Sequence, residues 1–296
     1  MTAGPDRPAV VALDVGGTSV KSALVGPDLV PADQQVDRVD PDGRADEIEA
    51  ALAAIVSGHL RRGGDGRVAV AFPAPFEYGA GVPRLEHKFA ALHGRGLGDD
   101  LRALVRAEVG AEHLDLRFVN DAQAAAIGAT AAVPEDPGGC VLVVMVGTGL
   151  GAALVDGHRI VPHRDRCTVG ELWRQRLAGG PLADDAFSAR GLAAALGVPP
   201  PELAQAVEAA RAGDREGQDA LCRWGARFGA FLAGHVARLG ADRVLVGGGG
   251  SGAFDLFGPS LAAASTVPVG PAPLGRDGPL VGAALLAHPG AFRPGR

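Results

Sequence analysis

Lysine is almost missing from this chain: only Lys21 and Lys88 occur, and arginine carries the other positive charges. The net charge is -6 at pH 7 and no basic block stands out, so nothing offers a track for a phosphodiester backbone. Aromatic residues make up 4% of the sequence, too few for a base-stacking platform. Nucleic acid is therefore not an expected partner. The three cysteines (Cys140, Cys167, Cys222) are odd in number and scattered, without a C-x-x-C pair. That pattern argues against a disulfide framework and against a structural zinc site built from this chain alone. No apolar run approaches ~18 residues, and the opening MTAGPDRPAV has no basic segment followed by an apolar one. The expectation is a soluble, cytoplasmic protein with no membrane partner.

What is present is apolar and rich in glycine. A hydrophobic fraction of 47% against 21% charged residues predicts a packed globular protein, and 296 residues suffice for two domains with separate cores. AVVALDVGG (9–17) is a β-branched run that stops at paired glycines, a strand meeting a tight turn, and SVKSALVG is again strand-like. Residues 44–62 carry apolar residues at helical spacing, RVAVAF (67–72) reads as a strand, and 97–110 reads as a helix with Asp99 and Asp100 in its first turn. A strand at LRFV leads into VNDAQAAAIG. The strand–glycine–strand pattern returns over 140–161, 134–139 reads as a loop, and 163–190 has no clear period. One or two helices fill 201–240, DRVLVGGGGSGAF is a strand breaking into glycines, and PLVGAALLAH closes the chain as a helix. Strands alternating with helices predict an α/β fold.

An internal repeat stands out: GTSVKSALV (17–25) and GTGLGAALV (147–155) agree at Gly, Thr, Ala, Leu and Val in matching places. Two copies about half a chain apart suggest duplicated lobes facing each other. A glycine turn between strands exposes backbone N–H groups that cradle phosphate oxygens, although each turn taken alone also reads as a plain β-hairpin. Asp14 precedes the first turn and is placed to hold Mg²⁺ or its waters. No G-x-x-x-x-G-K-[ST] occurs and no G-x-G-x-x-G opens a βαβ unit beside a suitable acid, so neither a Walker nor a Rossmann site is predicted. The third glycine cluster (244–254) reads either as a flexible βα loop or as backbone packed against adenine and ribose. Together the three loops point to a nucleotide in a cleft between two lobes. Asp121 is open to two compatible readings, the N-cap of the helix that follows it or a strand-end carboxylate that takes a proton.

In order along the chain, ALDVGGTSVKSALV, FPAPFEYGAGV, VNDAQAAAIG, VGTGLGAALVDG and VLVGGGG resemble the ROK family (repressors, open reading frames, sugar kinases) of the actin/hexokinase-like superfamily. The resemblance covers about residues 9–288. It implies a two-lobed actin-like (ribonuclease H-like) α/β fold with its active site in the interlobe cleft. Residues 1–118 would form the small lobe, 119–296 the large one, and a closing helix at about 278–290 is a candidate to pack back on the first. The resemblance implies ATP and Mg²⁺ as cofactors, a small sugar as substrate and a homodimer. Asp14, Gly16, Gly17 and Thr18 correspond to the first phosphate loop, with Asp14 toward the metal and Lys21 beside the phosphates. Gly147, Thr148 and Gly149 correspond to the second phosphate loop, and Gly247, Gly248 and Gly249 to the adenosine side. Asn120 is similar to a residue that bonds a sugar hydroxyl, and Asp121 to the general base.

Departures from the family pattern carry expectations of their own. Zinc-bearing members have G-E-x-G-H followed by closely spaced cysteines, whereas this chain reads VGELWRQRLAGG, with Arg174 in the place of the histidine and Cys167 isolated. No zinc is expected. Glu171 remains as a candidate contact for a sugar hydroxyl. His87 and Lys88, in a loop similar to one beside the sugar in a zinc-free subgroup, are read either as substrate contacts or as surface-loop residues. With the phosphate loop beginning at Asp14, the DNA-binding domain of repressor members is not expected. The expected activity is phosphorylation of a hexose such as glucose. The alternatives are another sugar or a cyclitol as acceptor, polyphosphate as donor, and a non-catalytic sugar-binding regulator.

Overall fold

β1 (Ala9–Val15) is a buried β-branched strand that turns at Gly16–Gly17 into β2 (Ser19–Val25), which is followed by β3 (Pro31–Arg38). These come from a computed structural model that describes residues 9–289 apart from 18, 132–138, 157–158, 162–168 and 179, with backbone only at 169–171 and 276. Most of the loop expected at 134–139 lies outside the described residues. Contacts divide the chain into Met1–Gly128 with Pro279–Arg296, and Ala129–Gly278.

In the first unit α1 (Ala45–Arg61) leads to β4 (Gly64–Phe72). A small hairpin of β5 (Phe76–Glu77) and β6 (Val82–Pro83), then α2 (Leu97–Val109), lead to β7 (Asp115–Asn120), and α3 (Asp121–Ala131) follows without a linker. The sheet order is β3-β2-β1-β4-β7, antiparallel across β3, β2 and β1 and parallel across β1, β4 and β7. β3 is absent from the sequence-based expectation because its PADQQVDR is an edge strand with no fully buried residue, so no hydrophobic pattern marks it. The core joins Val11, Leu13, Val68 and Val70 of the sheet to Ile48, Leu52 and Val56 of α1. The few aromatic residues are concentrated: Phe72, Phe76, Phe89 and Phe118 meet with centroids 4.9–6.5 Å apart, and Tyr78 stacks on Phe76 at 5.0 Å.

The second unit repeats the plan. β8 (Cys140–Val146), β9 (Leu150–Asp156) and β10 (Arg159–Ile160) are antiparallel. A 3-10 helix (Val169–Arg174) and α4 (Ala183–Phe187), α5 (Ala189–Ala195), α6 (Leu203–Arg211) and α7 (Arg215–Leu239) come next. β11 (Arg243–Gly247), α8 (Phe254–Ala263) and β12 (Val269–Pro271) complete it. The order β10-β9-β8-β11-β12 has the same sequence of antiparallel and parallel pairings as the first sheet. The two repeat copies, 17–25 and 147–155, fall on the same glycine turn and second strand of each sheet. α8 lies so close to α7 that a Cβ on Gly225 would sit 2.3 Å from the Phe257 carbonyl oxygen and one on Gly229 2.5 Å from that of Leu261. Trp224, Phe187, Phe228 and Phe257 fill the space beside this contact.

α9 (Gly278–Ala287), from Pro279 onward, packs in the first unit. A Cβ on Gly282 would lie 1.7 Å from the Ala124 carbonyl oxygen and 2.7 Å from the Gly128 nitrogen, so α9 meets the backbone of α3 directly. Beyond it His288 is buried, with Nε2 3.2 Å from the Val68 carbonyl and Nδ1 3.4 Å from Asp115 Oδ2. Gly282→Ala should therefore force α9 away from α3 and lower stability by about 1–3 kcal/mol. Denaturant unfolding measures this, and an unchanged midpoint would refute the close approach.

Candidate active site

The parallel ladder sets Asp14 opposite Ala71, Ala71 opposite Val119 and Phe72 opposite Asn120. At ~4.8 Å per strand, Asp14 and the end of β7 lie about 10 Å apart along the carboxyl edge of the sheet, where ligands of open α/β sheets bind. The cap of α3 is Asn120, not Asp121: Asn120 Oδ1 accepts the Gln123 N–H at 3.0 Å. Asp121 is thereby displaced to the first helical position. Its Oδ1 accepts the Ala122 N–H at 2.8 Å and Asn120 Nδ2 at 3.2 Å. Asn120 Nδ2 also donates to Tyr78 Oη at 3.0 Å.

Both carboxyls titrate above the ordinary aspartate value. Burial is the main cause at Asp121, opposed by the Ala122 N–H and the charge of Lys88. Burial also dominates at Asp14, where Lys21 pulls the other way and the Asp121 charge adds to the rise. Lys21 stands directly across β2 from Asp14, its Nζ 3.7 Å from Oδ2. The donor chemistry suits a hard dication: Asp14 supplies a half-buried carboxylate, and a second carboxylate is near enough to feel its charge. Among the described residues no group of three or more His, Cys, Asp or Glu side chains is placed to hold a metal ion. A dication here would take its remaining ligands from phosphate oxygens and water.

Of the first turn, Gly16 donates to the Ser19 carbonyl at 2.9 Å, and its Cβ would lie 2.9 Å from that oxygen. Gly17 is exposed with open space around its Cβ position, and Thr18 lies outside the described residues. In the second turn Gly147 donates to the Gly149 carbonyl at 3.0 Å, and Thr148 and Gly149 are exposed. This turn is tied to the helices behind it: Asp184 Oδ1 accepts the Leu150 N–H at 2.7 Å, and the Ala189 N–H donates to the Gly147 carbonyl at 2.8 Å. Arg190 fixes the other Asp184 oxygen at 2.6 Å. Asp184 was legible in the sequence only as one of the two acids in PLADDAFSARGL.

The third glycine cluster divides by task. Gly247 is buried in β11 with its Cβ position 2.7 Å from Met145 Sδ, and Gly248, at φ +83°, has no room because of the Val146 carbonyl at 2.6 Å. Gly249 opens a 3-10 turn and borders a cavity of about 650 Å³, which Gly147 and Thr148 also line. Leu192, Pro200, Leu203, Val207, Gly250 and Ala253 give this cavity an apolar wall. At its side Arg211 is held by Asp255 at 2.6 and 2.8 Å, by Glu208 and by the Gly252 carbonyl. Gly247, Gly248 and Gly149 therefore shape the backbone, and Gly147, Thr148 and Gly249 reach the cavity. The α6 residues escaped sequence reasoning because an apolar helix face looks the same whether it meets a core or a ligand. His87 is exposed, and Lys88, half-buried, is the one whose charge reaches Asp121. Glu171 sits on the 3-10 helix Val169–Arg174 with its side chain outside the described residues, as is Cys167.

The chain matches the ROK family over residues 10–167. Among curated proteins, none matches it. It is similar in structure to a ROK family glucokinase from Streptomyces griseus in complex with glucose and AMPPNP, at 23% identity and TM-score 0.75, covering 95% of this chain and 99% of that one. An inorganic polyphosphate/ATP-glucomannokinase from Arthrobacter is 23% identical with TM-score 0.65, covering 96% and 99%. A ROK family transcriptional regulator, a homolog of the E. coli MLC protein, is 16% identical with TM-score 0.73, covering 97% of this chain and 79% of that one. At these identities the likeness shows the α/β fold. Among the described residues no helix is long and apolar enough to cross a membrane.

The raised carboxyls carry a stability signature. With folded-state pKa values above the unfolded value of 3.8, the folded protein holds more protons, so stability falls as pH rises from 3.8 through the folded pKa. Asp14→Asn and Asp121→Asn should each raise the melting temperature at neutral pH, and the gain should disappear below the unfolded pKa. A lowered melting temperature at pH 7 would contradict the raised carboxyl pKa values.

Proposed function

The chain belongs to the ROK family, and on that premise we propose that it transfers the γ-phosphoryl group of ATP, with Mg²⁺, to a hydroxyl of a hexose such as glucose. The observation that carries this reading is Asp121, a half-buried carboxylate at a strand end whose bonds to Asn120 and Ala122 both fall on Oδ1. Oδ2 is the oxygen that takes the proton of the attacking hydroxyl. A sugar hydroxyl is a poor nucleophile, and a carboxylate titrating above its ordinary range is a better acceptor at the working pH. Asn120, Glu171 and His87 belong to the sugar side of the site.

Gly16, Gly17 and Thr18 in the first unit, and Gly147, Thr148 and Gly149 in the second, are each assigned to phosphate through backbone and hydroxyl donors, and Lys21 to added positive charge. Asp14 would hold Mg²⁺, directly or through water, and the ion when bound supplies charge neutralisation on the phosphate oxygens. The cavity beside Gly147 and Thr148 favours ATP over polyphosphate as donor. Its walls are mainly glycine, proline and aliphatic side chains, which suit a base and ribose, and its arginine is already paired with Asp255 and Glu208. A string of phosphates would instead call for uncompensated cations along its length. A homodimer in the cytoplasm is the accompanying proposal, carried by the family resemblance and checked by light scattering and cell fractionation.

A coupled ADP-release screen over hexoses, amino sugars and cyclitols, with a parallel polyphosphate reaction, identifies acceptor and donor. Asp121→Asn should leave the fold intact and lower turnover roughly 10²–10⁴-fold; near-normal activity in that variant would remove Asp121 from the role of base. Ala204→Trp, at the wall of the apolar cavity, should raise the KM for ATP by about tenfold or more while leaving sugar affinity alone. An unchanged KM for ATP would place the base elsewhere.

A further inference from the structure

The second unit has another cavity, of about 500 Å³, bordered by α7, by residues 175–178 and by Phe187 of α4. It shares no lining residue with the apolar cavity beside Gly147 and Thr148. On α7 its wall is Arg227, Phe231, His235 and Arg238, whose helical spacing places them on one stripe. Arg176 completes the charged lining, on backbone that is held firmly. It is bridged to Leu182, the Leu177 N–H donates to the Pro181 carbonyl at 3.0 Å, and the Ala183 N–H donates to that of Gln175 at 2.7 Å. Three guanidiniums thus border one space, and among the described residues no Asp or Glu lines it. Elsewhere arginines are met by carboxylates, as Arg95 is by Glu49, Arg117 by Asp115 and Arg211 by Asp255. The side chains of Arg176 and Arg227 have no such partner among the described residues. Like charges around a shared space repel, and an anion between them offsets that cost.

His235 supplies what a merely solvated basic face lacks. It is 5% exposed, and its ring borders the cavity beside Phe231, with centroids 4.7 Å apart. Arg238 Nη2 donates to its Nδ1 at 2.8 Å, and a guanidinium cannot accept. Burial, together with the Arg238 charge, holds the imidazole down at about 4, so the ring is neutral through the working range. With Nδ1 accepting, the one ring N–H is at Nε2, and it has no acceptor among the described residues. A donor so far withdrawn from water is costly to leave unmade, and a ligand oxygen in the cavity would satisfy it.

We propose that this cavity binds a phosphate monoester, whose phosphoryl oxygens accept from Arg176, Arg227, Arg238 and His235 Nε2 while its organic body lies against Leu177, Phe187 and Phe231. A phosphoryl group suits the lining better than a carboxylate does, because it brings about two charges and three terminal oxygens to several guanidinium forks. Arg238 spends one donor on the Gly234 carbonyl and one on His235, which leaves its others for a ligand. The aromatic and aliphatic part of the wall has no use for a bare phosphate ion and fits a carbon skeleton. The site goes beyond the kinase reading and does not depend on it.

The test is isothermal titration calorimetry on the full chain with glucose 6-phosphate, phenyl phosphate, inorganic phosphate and malonate, without ATP. The two monoesters carry a sugar and an aromatic ring, and the tighter of them identifies the body that the wall accepts. Wild type should bind at least one monoester saturably, ~10-fold or more tighter than inorganic phosphate or malonate. Arg176→Gln and Arg227→Gln should each weaken that binding ~10-fold or more. Arg223→Gln, which removes an exposed arginine of α7 outside this cavity, should leave it unchanged. Both substituted cavity arginines are exposed, so the fold should survive, and melting curves check it. Binding at the glycine turns instead would leave every arginine variant equal to wild type, and that result overturns the site. Equal weakening by Arg223→Gln reduces the effect to overall charge and overturns it as well. So does inorganic phosphate or malonate binding as tightly as the monoesters, or no monoester binding at all. None of these outcomes uses turnover, so failure of the kinase reading is a separate result.

Discussion

A carboxylate partly withdrawn from water at the start of a helix is costly, and the first unit is arranged around holding one there. Asp121 follows β7 without a spacer, so its position is set by the parallel ladder through Ala71–Val119 and Phe72–Asn120. The cap on Asn120 fixes the first turn of α3, and α9 meets that helix backbone to backbone because Gly282 has no side chain. His288 then ties the end of α9 to Val68 and Asp115 of the same sheet. Helix, strand and closing helix form one support, and the raised pKa of Asp121 reflects the burial that this support imposes.

The two units share a plan and divide the chemistry. Each has a five-stranded sheet in the same order with a glycine turn between its first two strands. By the alignment of the repeat, the position of Asp14 in the first copy is Val144 in the second, fully buried in the core. The acid and its cross-strand lysine therefore belong to the first copy alone. The second copy instead ties its turn to Asp184 and opens beside Thr148 onto an apolar cavity. Duplication accounts for the common backbone, and the side chains added at the turns account for the different tasks.

Much of this was legible in the sequence because it rests on short-range patterns. The β-branched runs ending in glycine at 9–17 and 140–149, the amphipathic period of α1 and the apolar PLVGAALLAH each carry their structure within a dozen residues. β3 was not legible, since PADQQVDR owes its strand to pairing with β2 rather than to burial of its own. Asp121 looked like a cap because an acid before an alanine run usually is one. The neighbouring asparagine took that role, which left the acid for chemistry.

The sequence by itself determined the fold class, the glycine turns and the acids that flank them, because strand and turn propensities and the order of motifs are local properties. Tertiary structure alone decided which of those groups act together. Tyr78 lies 42 residues from Asn120, and Asp184 lies 34 from Leu150. No local period records such pairings, which exist only once the sheets have formed. The wall that α6 gives to the cavity is decided in the same way, since an apolar helix face becomes a binding surface only when the fold leaves space in front of it.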